Sequence, residues 1–308
     1  MKKTQTIHLM GTVIDLMVDS PNAEEVLYNL VKRLKIYEHR FSANDNSSEL
    51  MAVNLASGKH PVKVHPELFQ LIQYGKQESL APHSYLNIAI GPLVQTWRIG
   101  FSNAKVPEKK VIDHCLTLID PNQITLNPET QEVYLEKPGM LLDLGALAKG
   151  YIADLLVDYL KKEKVHCALL NLGGNIITFG PSYHPDTLWK IGVRRPGEKR
   201  NDLAFLLPVK NQSVVTSGIY ERTLQKNGTS YHHILNPQTG YPVKTKLASL
   251  TIVSEKSVVG EMYTTKLFGW EPLEIIHYLN QLPKVEGALI TQDGAYHFSD
   301  GLKDKVVL

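Results

Sequence analysis

Four groups of residues have the types and spacing to do chemistry. The first, Asp143-Leu144-Gly145-Ala146-Leu147-Ala148-Lys149-Gly150-Tyr151, lies where a short apolar run passes into a helical pattern. Glycines at 145 and 150 let backbone N–H groups approach a ligand, and a helix N-terminus attracts anions, so the segment suits a pyrophosphate. A tight strand-to-helix turn in which Asp143 only caps is the other reading, because the spacing is neither a Walker loop nor a dinucleotide fingerprint. The second, Asn171-Leu172-Gly173-Gly174-Asn175, sets two glycines after an apolar strand. They serve close backbone approach or an ordinary turn or bulge.

The third is Tyr231-His232-His233-Ile234-Leu235, followed by the turn sequence Asn236-Pro237-Gln238-Thr239-Gly240. Adjacent strand residues point to opposite faces, so the two histidines do not readily share one metal. One can face a site while the other faces solvent, and a structural role for either stays open. The fourth is Glu261 with Thr265, four residues apart in a helical pattern and therefore on one face. A carboxylate and a hydroxyl are hard oxygen donors that suit Mg²⁺ rather than zinc, and a solvated helix face is the alternative.

Periodicity supplies the elements that must position these groups. Residues 7–19 read as a strand pair or one long strand broken at Gly11. A helix opens near Pro21, with Asn22 as its cap and Leu27, Leu30, Val31 and Leu34 as its apolar stripe. Residues 42–48 are a polar loop, Glu49–Asn54 a short helix and Pro66–Glu78 a longer one. Residues 85–94 and 140–144 read as strands, and residues 123–136 as a hairpin around Asn127-Pro128-Glu129-Thr130. A helix over about 147–162 buries Ile152, Leu155, Leu156, Tyr159 and Leu160 and ends in lysines. Strands are expected at 167–172, 189–193, 204–209, 213–217, 231–235 and 247–253. Ser254 then opens a helix over 258–268, and another spans 272–282. Helices and strands mix without regular βαβ alternation, which predicts an α+β fold.

Composition narrows the function classes. Of 308 residues, 43% are apolar and 21% charged, enough for a buried core. Lys plus Arg is 33 and Asp plus Glu is 31, a net charge of +2 that makes no basic nucleic-acid surface. Two cysteines, Cys115 and Cys167, form no disulfide scaffold, and no Cys/His cluster has structural-zinc spacing; both thiols are expected as buried small apolar residues. Lys2 and Lys3 are not followed by a continuous apolar h-region, and no lipid-anchoring cysteine lies near the start. No window of about 18 apolar residues predicts a membrane span, so a cytoplasmic protein without membrane insertion is expected.

Taken in order, the motifs resemble those of the ApbE-type flavin transferases over nearly the whole chain. The blocks are Met10-Gly11-Thr12; Ser42 through Ser48-Glu49-Leu50 to Asn54; Gly91-Pro92-Leu93-Val94 with Trp97 and Gly100; and Lys137-Pro138-Gly139-Met140. Then come Asp143-Leu144-Gly145, Ala148-Lys149-Gly150-Tyr151 with Asp154, Asn171 to Asn175, Thr216-Ser217-Gly218 with Tyr220-Glu221-Arg222, and His232-His233-Ile234 with Pro237, Thr239-Gly240 and Pro242. The resemblance implies one domain over 1–308, with mixed and antiparallel sheets of the T-fold kind, packed helices and an FAD site between them. It implies Mg²⁺-dependent transfer of FMN from FAD to a Ser or Thr hydroxyl of a target flavoprotein, with release of AMP. FAD hydrolysis to FMN and AMP, and non-catalytic FAD carriage, are the alternatives.

By the same resemblance, the Ala148 carbonyl, Glu261 and Thr265 bind the metal. Met10, Asn44, the Asn87–Ile88 segment, Gly145 and Lys149 lie along FAD. His233 sits near the transferred phosphate, as general base or as hydrogen-bond partner. Many members of the family are exported lipoproteins. Without a visible leader, the expected partner here is a cytoplasmic reductase with a flavinylation motif, or a cytoplasmically exposed domain. Four positions depart from the family pattern. Glu261 stands where Asp is usual, which extends the carboxylate by about 1.5 Å. Asn44 replaces an aromatic, and Asn87 and Asn236 replace aspartates, keeping an acceptor oxygen without the charge.

Overall fold

A computed structural model describes residues 1–198 and 202–307. In chain order its elements are β1 (Lys2–Leu9), β2 (Thr12–Asp19), α1 (Ala23–Phe41), α2 (Glu49–Leu55), β3 (Val62–Lys63), α3 (Pro66–Ser79), α4 (Gly91–Trp97) and α5 (Lys109–Leu116). There follow β4 (Ile124–Asn127), β5 (Glu132–Leu135), α6 (Ala148–Lys162), β6 (Cys167–Leu172), β7 (Asn175–Phe179), β8 (Trp189–Arg194), β9 (Leu203–Val209) and β10 (Ser213–Gly218). The last are β11 (Thr223–Lys226), β12 (Thr229–His232), β13 (Leu247–Ser254), α7 (Ser257–Lys266), α8 (Pro272–Leu279), β14 (Val285–Thr291), β15 (Tyr296–Phe298) and α9 (Asp300–Lys303). This is the expected α+β fold.

The main sheet has eight strands in the order β1-β2-β6-β7-β10-β13-β14-β15, every neighbour antiparallel. Its first hairpin turns at Met10 and Gly11, both with positive φ, as a two-residue turn matched to strand twist requires. Alternation then decides which layer each side chain enters. Ile14, Leu16 and Val18 of β2 and Ala168, Leu170 and Leu172 of β6 join the core shared with α1 and α6. Met17, Cys167 and Val253 face the other way, onto the β8–β9 hairpin through Trp189, Ile191 and Phe205. The central strand β13 is buried at every residue because both its faces are covered. The small sheet β3-β5-β4, with α2 to α5, shares the core of α1 and α6 through Leu50, Leu71, Trp97 and Val133. Among the described residues no helix is long and apolar enough to cross a membrane.

Four local expectations are corrected. Residues 85–94 are not a strand, because only Ile90 makes a β-bridge, to Leu141, before α4 starts at Gly91. Residues 140–144 are not a strand either. The Asn54 amide donates to the Leu142 carbonyl at 3.0 Å and accepts from the Leu142 N–H at 2.7 Å, so a side chain does the work of a ladder. Asn22 stands at the N-cap of α1 without a capping hydrogen bond. Ser254 ends β13 rather than opening a helix, and α7 starts at Ser257. Elements β7, α5 and β14 were not anticipated; both cysteines are buried and free, as expected.

Candidate functional site

Two hairpin turns meet at one end of the main sheet. Gly173 and Gly174, both at positive φ, are the turn between β6 and β7. A Cβ at Gly173 would stand 2.2 Å from Thr12 Oγ1, so only glycine lets this turn lie against the Met10-Gly11-Thr12 turn. The Met10 N–H donates to the Glu38 carboxylate of α1, fixing the first turn. Asn175, the first residue of β7, is 2% exposed and carries this end of the sheet to the helices behind it.

Glu261 of α7 lies there, 4% exposed. Its Oε1 accepts from Lys149 Nζ at 3.0 Å and from Asn175 Nδ2 at 2.8 Å. Lys149 is the second residue of α6, next to Ala148, so its ammonium meets the Glu261 carboxylate at the start of that helix. The two helices approach at Gly150, where a Cβ would meet the Ser257 carbonyl oxygen at 2.6 Å and Glu261 Cγ at 2.7 Å. Thr265 follows Glu261 by one turn and is half-buried. Its neighbour Thr264 directs its hydroxyl at the Glu261 carbonyl oxygen instead.

The strand expected over 231–235 stops early, since β12 ends at His232, and the two histidines take different partners. His232 Nε2 donates to the Val243 carbonyl at 2.9 Å, and its ring lies 6.5 Å from that of Phe268. His233 turns its Nδ1 to the Arg222 carbonyl at 3.4 Å. A carbonyl only accepts, so Nδ1 carries the proton and Nε2 the lone pair. Burial, helped by the Arg222, His232 and Lys149 charges, brings the His233 pKa down to about 4. The imidazole is therefore neutral near pH 7, a competent proton acceptor. Trp97, fully buried, anchors the following turn by donating from Nε1 to the Gly240 carbonyl at 2.8 Å. Within that turn Asn236 Oδ1 accepts from the Gln238 N–H at 2.7 Å.

A cleft of about 360 Å³ is walled by Asn44, Asn46, Gln95, Arg98, Phe101 and Asp143 among others; Asn44 is the one sequence-predicted site residue in its wall, and Glu261, Lys149 and His233 are not part of it. The Arg98 guanidinium lies 4.0 Å from the Phe101 ring centroid and donates to Gln95 Oε1 at 2.7 Å and to Asn44 Oδ1 at 3.4 Å. Asp143 accepts from the Gly145 N–H at 2.8 Å, which is the turn-forming role left open for it. Desolvation raises its carboxyl above the usual range, against the pull of that N–H and of the Arg222 charge. Its own N–H donates to the Ile88 carbonyl at 2.9 Å, tying the buried 87–88 segment to Asp143 from behind. The Asn87 side chain, however, is turned into the fold, bonded to the Ile119 carbonyl and the Ala89 N–H.

Three polar residues of this region were not selected as functional from sequence: Asn175, Ser257 and Asp154. Asn175 and Asp154 lie inside quoted motif blocks, which was the available signal, and Ser257 carried none. A separate group forms at the far end of β2, where ligand atoms of Asp19, His166 and Cys167 lie within 4.8 Å of one another. There Asp19 accepts from the Tyr183 hydroxyl at 2.8 Å.

A family model described as the ApbE family matches residues 10–289. An FAD:protein FMN transferase of Klebsiella pneumoniae (strain 342) is 41% identical over 285 residues, spanning 92% of this chain and 88% of that protein. An FAD:protein FMN transferase of Treponema pallidum (strain Nichols) is 34% identical over 318 residues, spanning 97% and 87%. Among solved structures, an ApbE protein from Thermotoga maritima matches with a TM-score of 0.88 at 24% identity, over 99% of each chain. The flavin transferase ApbE from Vibrio cholerae matches with a TM-score of 0.85 at 19% identity, again over 99% of each. At those identities the likeness to the two structures is one of fold.

Proposed function

The chain belongs to the ApbE family, and we propose that it transfers FMN from FAD to a Ser or Thr hydroxyl of a target flavoprotein, releasing AMP. The observation that carries this reading is the buried Glu261, held by Lys149 and Asn175 where α6 begins and α7 crosses it.

The donor set fits Mg²⁺. The Ala148 carbonyl, the Glu261 carboxylate and the Thr265 hydroxyl are hard oxygens on two packed helices. Both protein donors fall on Glu261 Oε1, which leaves Oε2 for a cation, and the ammonium of Lys149 already sits against this carboxylate. When bound, Mg²⁺ supplies neutralisation of the FAD pyrophosphate and of the charge developing on the departing AMP.

The remaining steps belong to the chain's own residues. Phosphoryl transfer is mainly positioning and charge stabilisation. In this reading the Met10 turn, Gly145, Lys149 and the 87–88 backbone hold FAD, and the cleft beside Asn44 takes one of its ring systems. His233 Nε2 accepts the proton of the acceptor hydroxyl. That oxygen forms a new bond to the FMN phosphorus while the bond between this phosphorus and the AMP oxygen breaks. We assign the whole chain to one catalytic unit. As the target we propose a cytoplasmic reductase carrying a flavinylation motif.

The test is incubation with FAD, Mg²⁺ and a candidate flavoprotein, followed by intact and peptide mass spectrometry. An FMN phosphoester on Ser or Thr, with one AMP released per adduct and loss of both in EDTA, is the expected result. Free FMN and AMP without an adduct would mean hydrolysis, and unchanged FAD would mean carriage; either would refute transfer.

A further inference from the structure

We propose that Asn175 is the positioning residue that fixes the Glu261 carboxylate for its cation, and that Ser257 and Asp154 lock Asn175 in place. The inference rests on the metal reading above and adds residues to it. Asn175, Ser257, Asp154 and Glu261 are 2%, 0%, 7% and 4% exposed. Water reaches none of them freely, so each must be satisfied by the protein.

Their hydrogen bonds form one directed chain. Asp154 of α6 accepts from the Ser257 N–H at 2.8 Å and the Val258 N–H at 3.0 Å, capping α7 with a carboxylate from another helix. The Ser257 hydroxyl donates to Asn175 Oδ1 at 2.7 Å. The Glu261 carboxylate, which only accepts, sets which way the amide points, and the Ser257 hydroxyl then holds Oδ1 on the other side. Asn175 Nδ2 is thereby committed to Glu261 Oε1.

The need for such a lock follows from the residue at 261. A glutamate has one more rotatable bond than an aspartate, and Mg²⁺ demands near-octahedral placement of its ligands. Lys149 alone is a weak restraint, since its side chain is 30% exposed and flexible. Asn175 sits on a strand and has no such freedom. Partners that orient metal ligands in this way are typically worth about 10–100-fold in metal affinity.

The experiment measures Mn²⁺ binding to the FAD-loaded protein by electron paramagnetic resonance, alongside the Mn²⁺ dependence of turnover. For Asn175→Ala and the near-isosteric Asn175→Leu, both of which lose the donor to Glu261 without adding charge, the Mn²⁺ dissociation constant is expected to rise about 10–100-fold. The loss should fall on the metal constant rather than on kcat at saturating Mn²⁺. Ser257→Ala, which keeps the donor but frees the amide, should show a smaller rise. A lowered melting temperature with unchanged Mn²⁺ affinity in these variants would make Asn175 merely structural and overturn the proposal. Failure of the wild-type protein to bind Mn²⁺ would overturn the metal reading itself, which separates the two failures.

Discussion

Gly150 of α6 and Glu261 of α7 touch with no space for a methyl group between them. A Cβ on Gly150 would stand 2.7 Å from Glu261 Cγ and 2.6 Å from the Ser257 carbonyl oxygen. Glycine inside a helix costs about 0.5–1 kcal/mol relative to alanine, so by propensity alone Gly150→Ala should stabilise. The contact argues the reverse, because a backbone carbonyl cannot rotate away as a side-chain tip can. Overpacking of this kind costs about 1–3 kcal/mol, so the melting temperature should fall by several degrees. Thermal unfolding by circular dichroism decides the sign, and a raised melting temperature would show that the helices separate without cost. The metal requirement should rise with the same substitution, since Glu261 shifts with α7.

His233 should set the acid limb of activity well below that of an ordinary histidine. Its neutral form is favoured by burial and by the Arg222, His232 and Lys149 charges, with a pKa near about 4. The pH profile of kcat/KM, which reports the free enzyme, should therefore hold its plateau through pH 6.5 and fall only toward pH 4. His233→Ala should lower kcat by about 10²–10⁴-fold while FAD still binds. Unchanged turnover in that variant would remove both the base and the phosphate-contact roles.

Lys149 and Glu261 make a pair whose side chains are 30% and 6% exposed. Replacing Lys149 with Met leaves the buried carboxylate only Asn175 as a donor. Removing one member of a buried pair is strongly unfavourable, though the exposure of Lys149 trims the loss here to about 1–3 kcal/mol. A divalent cation at Glu261 would restore the missing charge. Mg²⁺ is thus expected to raise the melting temperature of Lys149→Met more than that of the wild-type protein, measured against EDTA. Equal shifts in both proteins would place the ion elsewhere.

What was legible in the sequence follows from where each residue finds its partners. The α6 stripe and the alternation of β2 are local patterns, and Leu156, Leu160, Ile14 and Leu16 are buried as those patterns require. The alternation expected of His232 and His233 assumed a strand over 231–235, but β12 ends at His232, and the separate partners of the two rings come from the fold. The segments 85–94 and 140–144 misled because their apolar residues are buried without a ladder. The Asn54 amide and the Ile88 carbonyl satisfy the 140–144 backbone from distant positions in the chain. The cap of α7 was invisible for the same reason, since Asp154 precedes Ser257 by 103 residues. Ser254 was read as that cap, but its hydroxyl is bound up with Ser213 and the Lys256 carbonyl. The i,i+4 spacing with Thr265 brought Glu261 to notice and the 143–151 turn brought Lys149, whereas the contact between them, 112 residues apart, belongs to the fold.

Asp154 should make the stability of the protein less sensitive to acid than His233 alone would. Burial raises the Asp154 carboxyl to about 6, with the Val258 and Ser257 N–H bonds pulling it back. The folded state then binds this proton more tightly than the unfolded chain, whose carboxyl titrates near 3.8. Its contribution is complete below 3.8 and is lost as pH rises through about 6. His233 has the opposite sign: its depressed pKa gives a contribution complete above 6.5 and lost as pH falls through about 4. Between pH 4 and 6.5 the two offset each other. Asp154→Asn removes a term on the order of 3 kcal/mol across that window and leaves the His233 term alone. The melting temperature of Asp154→Asn should therefore fall more steeply than that of the wild-type protein as pH drops from 6.5 to 4, and that of His233→Ala less steeply. Differential scanning calorimetry across this range reads both slopes, and parallel curves for the three proteins would show that neither proton is coupled to folding as argued.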